Sequence, residues 1–125
     1  VACGKKNPYS LGLTFHKADD NSVEATFTGG PHLQGYDGIL HGGVISTLLD
    51  SAMAHCLLLQ GIKGVTADLR IRFLHSIPCS SKITIKAWVT CAVSSLYELK
   101  AEVVMDGKVM AKAKAKFMDR GNDDE

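Results

Sequence analysis

Apolar and polar residues alternate along most of this chain, and one segment in the middle departs from that pattern. Strict alternation has a period of two, which indicates half-buried β-strands. The segments that show it are 11–16, 22–28, 65–73, 83–89, 97–105 and 109–117. In the segments after residue 64 the alternating apolar positions are the odd-numbered ones, with Trp88, Val104 and Met110 as the apolar residues at even positions. Each of these strands should carry one apolar face and one charged face, as in an antiparallel sheet with one wet side.

The segment from Gly43 to Gln60 is apolar on most sides, and Gly61 behind it suits a helix C-cap. A helix of this kind has to be covered by other structure. It is too short and too interrupted for a membrane span, which takes about 20 apolar residues. The strands can cover it only as a curved sheet. We therefore predict an α+β domain in which one long central helix is wrapped by an antiparallel sheet of about five to six strands.

The last predicted hairpin, around Asp106-Gly107, allows a prediction of register. A two-residue loop would pair odd with even positions and bring charges to the core side, so we predict a three-residue loop. The pairs that such a loop makes are Glu102 with Lys112, Glu98 with Lys116 and Lys100 with Lys114. Two of these pairs join opposite charges and one joins like charges, so registers displaced by two residues stay open.

Length, charge and cysteine content narrow the class of protein. The 125 residues suit a single domain at 1–125, with an N-terminal lead at 1–10 and a frayed tail at 119–125. A net charge of +1 argues against nucleic acid or a membrane surface as partner. The four cysteines form no C-x-x-C pair, and the sequence has no signal-peptide pattern, so we expect a cytoplasmic protein with reduced thiols. No metal-ligand spacing is present, and no metal site is predicted.

Two features of the central helix carry chemistry. Asp50 is a carboxylate in the middle of the apolar segment, where an unpaired charge is costly, so it should have a partner or a task. Gly42 and Gly43 open the helix, where unsatisfied N–H groups and the positive end of the dipole favour a developing negative charge. An acid on the helix and an anion cradle at its start indicate acyl-transfer chemistry.

These residues resemble the signature of hotdog-fold acyl-CoA thioesterases, most closely the branch related to phenylacetate-degradation thioesterases. The signature is carried by Leu40, His41, Gly42, Gly43, Leu48, Asp50 and Ala52. The segments 3–13 and 34–41 are similar to the same branch, and the resemblance extends from Cys3 to about Met118. It implies a hotdog fold and hydrolysis of an acyl-CoA, or a related acyl thioester, to free acid and thiol. It implies no cofactor, since water is the second substrate.

The resemblance also implies a homodimer or homotetramer with active sites at the dimer interface. Two other functions remain open on the same fold, because a fold does not fix a function. The first is a non-catalytic protein that binds or senses acyl-CoA. The second, ranked below it, is a dehydratase acting on 3-hydroxyacyl thioesters, whose own motif we do not find in this chain.

Three residues have defined roles under this resemblance. Asp50 corresponds to the acid that acts as a general base on water or attacks the carbonyl directly. The backbone amide of Gly42 corresponds to the donor that polarises the thioester carbonyl. Thr66 corresponds to a hydroxyl that holds the attacking water or the acid, although threonine is also an ordinary strand residue.

The remaining candidates have less specific roles. His41 either touches the thioester or only orients its loop, and we prefer the second role. Gln34 corresponds to an amide side chain that holds the carbonyl or the water, displaced by one residue from its position in the family. Gly43, Arg70 and Arg72 are candidates for coenzyme A contacts, the two arginines through its phosphates. For these arginines a solvated strand face is the default interpretation.

Overall fold

A computed structural model describes residues 15–19, 21–28, 42–78 and 81–120, which form one helix and six strands. In chain order these are β1 (His16–Asp19), β2 (Ser22–Thr28), α1 (Gly42–Leu58), β3 (Gly64–Phe73), β4 (Lys82–Val93), β5 (Leu96–Met105) and β6 (Lys108–Asp119). The strands form one antiparallel sheet in the order β1-β2-β4-β5-β6-β3. The predicted α+β architecture is therefore confirmed. Of the first strand predicted at 11–16, residues 11–14 lie outside the described residues, Phe15 precedes β1, and His16 belongs to β1.

The core lies between α1 and the inner face of the sheet, which is the face that the helix covers. The helix residues that are buried there are Ile45, Leu48, Leu49, Ala52, Met53, Cys56 and Leu57. No polar side chain is buried among the residues that the structure describes. The helix ends as predicted, because Gly61 has a φ of 81° and its N–H donates to the carbonyl oxygen of Leu58 at 2.9 Å. Within the described residues, no helix reaches the length and hydropathy that a membrane span requires.

The hairpin between β5 and β6 confirms the predicted register and corrects the predicted loop. All three predicted pairs form, including the like-charged pair of Lys100 and Lys114. The loop has two residues, because Met105 pairs with Lys108, and both Asp106 and Gly107 have positive φ, as a type I′ turn requires. The prediction of three residues was wrong because it assumed regular strands. A β-bulge adds one residue to β6, at Met110, and this brings the apolar faces back into register.

A second β-bulge corrects the alternation predicted for β3. Thr66 pairs with Phe117 and Asp68 pairs with Lys116, so Ala67 is an extra residue in the strand. A strict period of two would have put Thr66 on the same face as Asp68, away from the helix. Because the bulge reverses the alternation before Asp68, Thr66 instead lies on the helix side, opposite the buried Phe117.

Strand β3 forms one edge of the sheet and is poorly covered by the helix. Its inner-face residues Leu69 and Phe73 remain 36% and 52% exposed. In the middle of β5, the inner-face residues Leu99, Ala101 and Val103 are buried. The sheet therefore has one edge whose apolar side chains have little cover within a single chain.

Candidate active site

Asp50 and Thr66 meet at the margin of the core. Asp50 lies in the third turn of α1 and is only partly buried, while Thr66 is near the start of β3. The Thr66 hydroxyl donates a hydrogen bond to Oδ1 of Asp50 at 3.0 Å. This hydrogen bond joins two residues that are sixteen positions apart and depends on the bulge at Ala67. Ser46, an alternative partner for Asp50, donates instead to the Gly42 carbonyl oxygen at 3.0 Å.

The first turn of α1 is the second feature of the site. The helix begins at Gly42, and the N–H groups of a first turn have no acceptor within the helix itself. The hydroxyls of Ser46 and Thr47 donate to the carbonyl oxygens of Gly42 and Gly43, at 3.0 and 2.9 Å. Both contacts involve carbonyl oxygens of the turn. The amide of Gly42 belongs to the same turn, where the helix dipole favours an anionic oxygen.

Glycine at position 42 is required neither by backbone strain nor by crowding within the described structure. Its φ does not lie in the left-handed region, so the interpretation that a tight turn needs glycine here does not apply. A Cβ on Gly42 would meet the ring of Phe73 at 3.7 Å, which is an ordinary van der Waals distance. Within the described residues, neither conformation nor packing requires glycine at position 42. A glycine here is consistent with close approach by another molecule.

A cleft of about 270 Å³ opens beside this first turn. The residues that line it are Gly42, Ile45, Phe73, Leu74, His75, Ser76 and Ile77. Sequence reasoning identified Gly42 here but not the segment 74–77, whose only signal was an interruption of the strand pattern. Most of the lining side chains are apolar, so the cleft suits a small apolar group held next to the helix N-terminus.

The structure does not bring all the predicted site residues together. Arg70 and Arg72 lie on the outer face of β3, opposite Lys114 and Lys112, whereas Asp50 and Thr66 lie on the helix side. Gly43 lies beside Gly42 in the first helical turn and is exposed. His41 and Gln34 lie outside the described residues, so their roles stay predictions.

Gly42 and Asp50 of one chain are also well separated. They are eight residues apart on the same helix, which corresponds to about 12 Å along its axis. In a working site, one amide binds the thioester carbonyl while a base activates the water that attacks it. The amide and the base must then lie closer together than about 12 Å. One helix therefore carries both the amide donor and the carboxylate, but at positions too far apart to act on the same carbonyl.

A family model and a curated relative show what this chain is similar to. The model described as thioesterase superfamily matches residues 37–114, which is more than half of the chain. Acyl-coenzyme A thioesterase THEM4 of Bos taurus is 34% identical over 96 residues, which cover 69% of this chain and 39% of that protein. This chain thus spans about two fifths of the length of that relative.

Solved structures give the same fold. The PaaI protein from the E. coli phenylacetic acid degradation operon has a TM-score of 0.83 and 24% identity, covering 89% of this chain and 81% of that one. A hypothetical thioesterase from Streptococcus pneumoniae, solved with coenzyme A, has a TM-score of 0.82 and 22% identity, covering 94% and 91%. Two further structures of that streptococcal protein carry an alanine in place of an aspartate and of a threonine sixteen positions apart.

These findings confirm the predicted family. The motif around His41 to Asp50 falls within the matched residues 37–114, and the order of helix and strands agrees with the solved relatives. The chain therefore belongs to the thioesterase superfamily and has its hotdog fold.

Proposed function

We propose that this chain hydrolyses an acyl thioester, with an acyl-CoA as the simplest substrate, and that Asp50 is its catalytic acid. The observation that carries the proposal is the hydrogen bond from the Thr66 hydroxyl to Oδ1 of Asp50. A hydroxyl that donates to a carboxylate fixes the orientation of the carboxylate and leaves its second oxygen for a water molecule or a carbonyl carbon. This is the arrangement that a general base or a carboxylate nucleophile needs.

The reaction can follow either of two routes. As general base, Asp50 takes a proton from water while the water oxygen attacks the thioester carbonyl, after which the carbon–sulfur bond breaks and the thiolate leaves with a proton. As nucleophile, the carboxylate displaces the thiolate itself, and water then hydrolyses the resulting mixed anhydride. On both routes the carbonyl oxygen becomes negative, and the proposed role of the Gly42 amide is to donate a hydrogen bond to it. One such donor is worth about 3 kcal/mol in comparable sites.

We infer that each site takes its Asp50 and its Gly42 from two different copies of the chain. The separation of about 12 Å along α1 is too long for both groups of one copy to act on one carbonyl. The exposed edge of β3 offers a way to bring in a second copy, since an edge strand presents unpaired N–H and C=O groups. The exposed apolar side chains of Leu69 and Phe73 support the same edge as the interface.

Antiparallel pairing of two β3 strands about their middle would assemble such a site. The Phe73 end of one strand would then lie beside the Thr66 end of the other. Because Gly42 packs near Phe73 of its own chain, this pairing carries Gly42 of one copy towards the Asp50–Thr66 pair of the second. The proposed assembly is therefore a homodimer, alone or within a tetramer, with two equivalent sites at the interface.

The relatives support the same chemistry. The bovine relative is named an acyl-coenzyme A thioesterase, and the streptococcal one was solved with coenzyme A. The aspartate and threonine replaced in the streptococcal variants have the same spacing as Asp50 and Thr66.

The test is thiol release from a panel of short, medium, long and aryl acyl-CoA esters, measured for the parent protein and for Asp50→Asn. We expect hydrolysis by the parent and a loss of at least about 100-fold in kcat for the variant, the lower end of what removing a general base costs. Asp68→Asn is the matched control, because Asp68 lies just beyond the bulge on the outer face, and we expect near-parental activity.

Two outcomes would contradict the proposal. If Asp50→Asn hydrolysed the best ester as fast as the parent, Asp50 would not be the catalytic acid. If no ester were hydrolysed while acyl-CoA still bound, the chain would be the acyl-CoA binding or sensing protein that the sequence left open.

A further inference from the structure

The outer face of the sheet, which points away from α1, carries its side chains in transverse rows. Residues paired across neighbouring strands lie side by side, so a row can be followed from strand to strand. One row, which we call the cation row, consists of Trp88, Lys100, Lys114 and Arg70, on β4, β5, β6 and β3. Three cations therefore stand next to one another, on strands about 4.8 Å apart. The row contains no carboxylate.

The rows on either side of the cation row have a different composition. One consists of Lys86, Glu102, Lys112 and Arg72, and the other of Glu98, Lys116 and Asp68. Both contain carboxylates next to cations, the arrangement that stabilises a sheet, whereas like charges directly opposite each other destabilise it. The cation row is the one row of the three that lacks this compensation.

Contacts within the described part of the structure pair one member of the cation row, Arg70, with a carboxylate and leave its two lysines without one. Arg70 comes within 3.7 Å of Asp68, and both side chains remain well exposed. Among the described residues, no carboxylate lies within 4.0 Å of the ammonium group of Lys100 or of Lys114. Two adjacent positive charges are thus left to the solvent or to a ligand.

A shallow cleft of about 470 Å³ lies over this row. Its charged and aromatic lining residues are Arg70, Arg72, Trp88, Lys100, Glu102, Lys112 and Lys114. The volume falls in the range of small-molecule sites, about 300–1,000 Å³. Trp88 is half-buried, and an indole ring of this kind offers a stacking surface to a nucleobase. Lysine and arginine are the residues that bind phosphate oxygens.

We propose that the cation row binds a purine nucleoside diphosphate, with the base against Trp88 and the phosphates on Lys100, Lys114 and Arg70. The combination of an aromatic ring and uncompensated cations selects this ligand over a simple anion. A second copy of the chain is a poor occupant where the two-fold axis passes through this row, because cations would then face cations. The row lies on the opposite side of the sheet from Asp50 and Thr66, so this binding is separate from hydrolysis.

Trp88 makes the proposal directly measurable, because it is the single tryptophan of the chain. The probes are ADP, adenosine, inorganic pyrophosphate and coenzyme A, each titrated into the full chain while tryptophan fluorescence is recorded. We expect ADP to quench the fluorescence with a micromolar Kd. Adenosine and pyrophosphate should each bind at least tenfold more weakly, because each lacks one half of the recognised chemistry.

Lys114→Glu tests the row itself, because Lys114 is its central cation. We expect the Kd for ADP to rise at least tenfold, while the Tm of the unliganded protein rises because two like-charged pairs become opposite-charged pairs. Lys108→Glu is the matched control, because it makes an equal charge change on the same strand, six residues and about 20 Å from Lys114, opposite the uncharged Met105. It should alter the Kd less than about twofold, since exposed charges are screened beyond about 8 Å at physiological salt. Lys100→Ala repeats the loss of ADP binding if Lys114→Glu fails to fold.

The two possible sources of the nucleotide are told apart by calorimetry. If Lys114→Glu weakens coenzyme A as much as ADP, the ligand is the nucleotide portion of coenzyme A. If coenzyme A binding is unchanged while ADP binding is lost, the ligand is a free nucleotide. The proposal is overturned if ADP fails to quench Trp88, if pyrophosphate binds as tightly as ADP, or if Lys108→Glu weakens ADP binding as much as Lys114→Glu does.

Discussion

Two leucines on either side of Ala115 show how differently the two flanks of strand β6 are built. Leu99 of β5 and Leu69 of β3 both pair with Ala115, and both belong to a regular alternation of apolar and polar residues. Leu99 is fully buried under α1, whereas Leu69 remains 36% exposed at the edge of the sheet. The same local pattern thus gives a buried core on the β5 side and an exposed apolar surface on the β3 side.

The difference separates stability from function. The β5 side holds the fold together, and its apolar residues have their partners within one chain. The β3 side carries Thr66 and packs against Gly42 through Phe73. Apolar side chains on this side remain exposed in a single chain. We expect changes on the β5 side to act on folding, and changes on the β3 side to act on assembly and activity.

A buried charge tests this separation most strongly. Leu99→Lys should abolish the cooperative thermal transition, because an unpaired buried ammonium costs several kcal/mol of a stability that is only about 5–15 kcal/mol in total. Leu69→Lys should keep that transition but give a monomer with at least 100-fold lower activity. Circular dichroism during heating, light scattering after gel filtration and thiol release measure the three properties. A Leu69→Lys protein that stays dimeric and active would place the interface elsewhere.

Two glycines allow an effect on packing to be distinguished from an effect on chemistry with a single methyl group, and they mark Gly64, where β3 begins against the core, as an exception to the rule for the β3 side. A Cβ on Gly64 would lie 2.7 Å from Cδ1 of Leu57 and 3.2 Å from the ring of Phe117, so Gly64→Ala should cost about 1–3 kcal/mol through overpacking. A Cβ on Gly42 meets no such crowding, so Gly42→Ala should not lower the free energy of unfolding. It should lower kcat/KM at least tenfold, because the methyl group stands where the carbonyl approaches the amide.

Urea denaturation and initial-rate kinetics on both alanine variants measure these effects. Equal losses of stability at the two glycines would mean that the helix start is as tightly packed as the core. Unchanged kinetics in Gly42→Ala would remove the amide of this residue from the proposed site.

The smallest expected effect concerns the hydroxyl that β3 directs towards the helix. Thr66→Val keeps the shape of the side chain and removes its hydrogen bond to Asp50, so kcat should fall about tenfold, equivalent to about 1.4 kcal/mol. Stability should change by less than about 1 kcal/mol, because the pair is at the protein surface. Thr90→Val is the control, since Thr90 is also an exposed strand threonine with a hydrogen bond, to the Glu98 carbonyl oxygen. Equal kinetic effects at both positions would argue against a role for Thr66 in orienting Asp50.

The sequence predicted much of the site through its motif, and less of it through its periodicity. Asp50 and Gly42 stood out from the apolar helix and its glycine start, while their roles and the choice of Thr66 came from the resemblance to thioesterases. The structure joins Asp50 to Thr66. Alternation alone would have put Thr66 on the wrong face, because a β-bulge leaves no mark in a pattern of apolar and polar residues. The same is true of the bulge at Met110, which allows the two-residue loop that the pattern excluded.

The sequence by itself determined the elements, the family and the pairing of β5 with β6, because these depend on local periodicity and on a motif within a short stretch. Only the tertiary structure decided that β3 is an edge strand, that Thr66 reaches Asp50, and that Arg70 and Trp88 join Lys100 and Lys114 in one row. Strand order and bulges bring together residues that are distant in the chain. No local pattern specifies such contacts, since they arise from how the whole sheet pairs and twists around the helix.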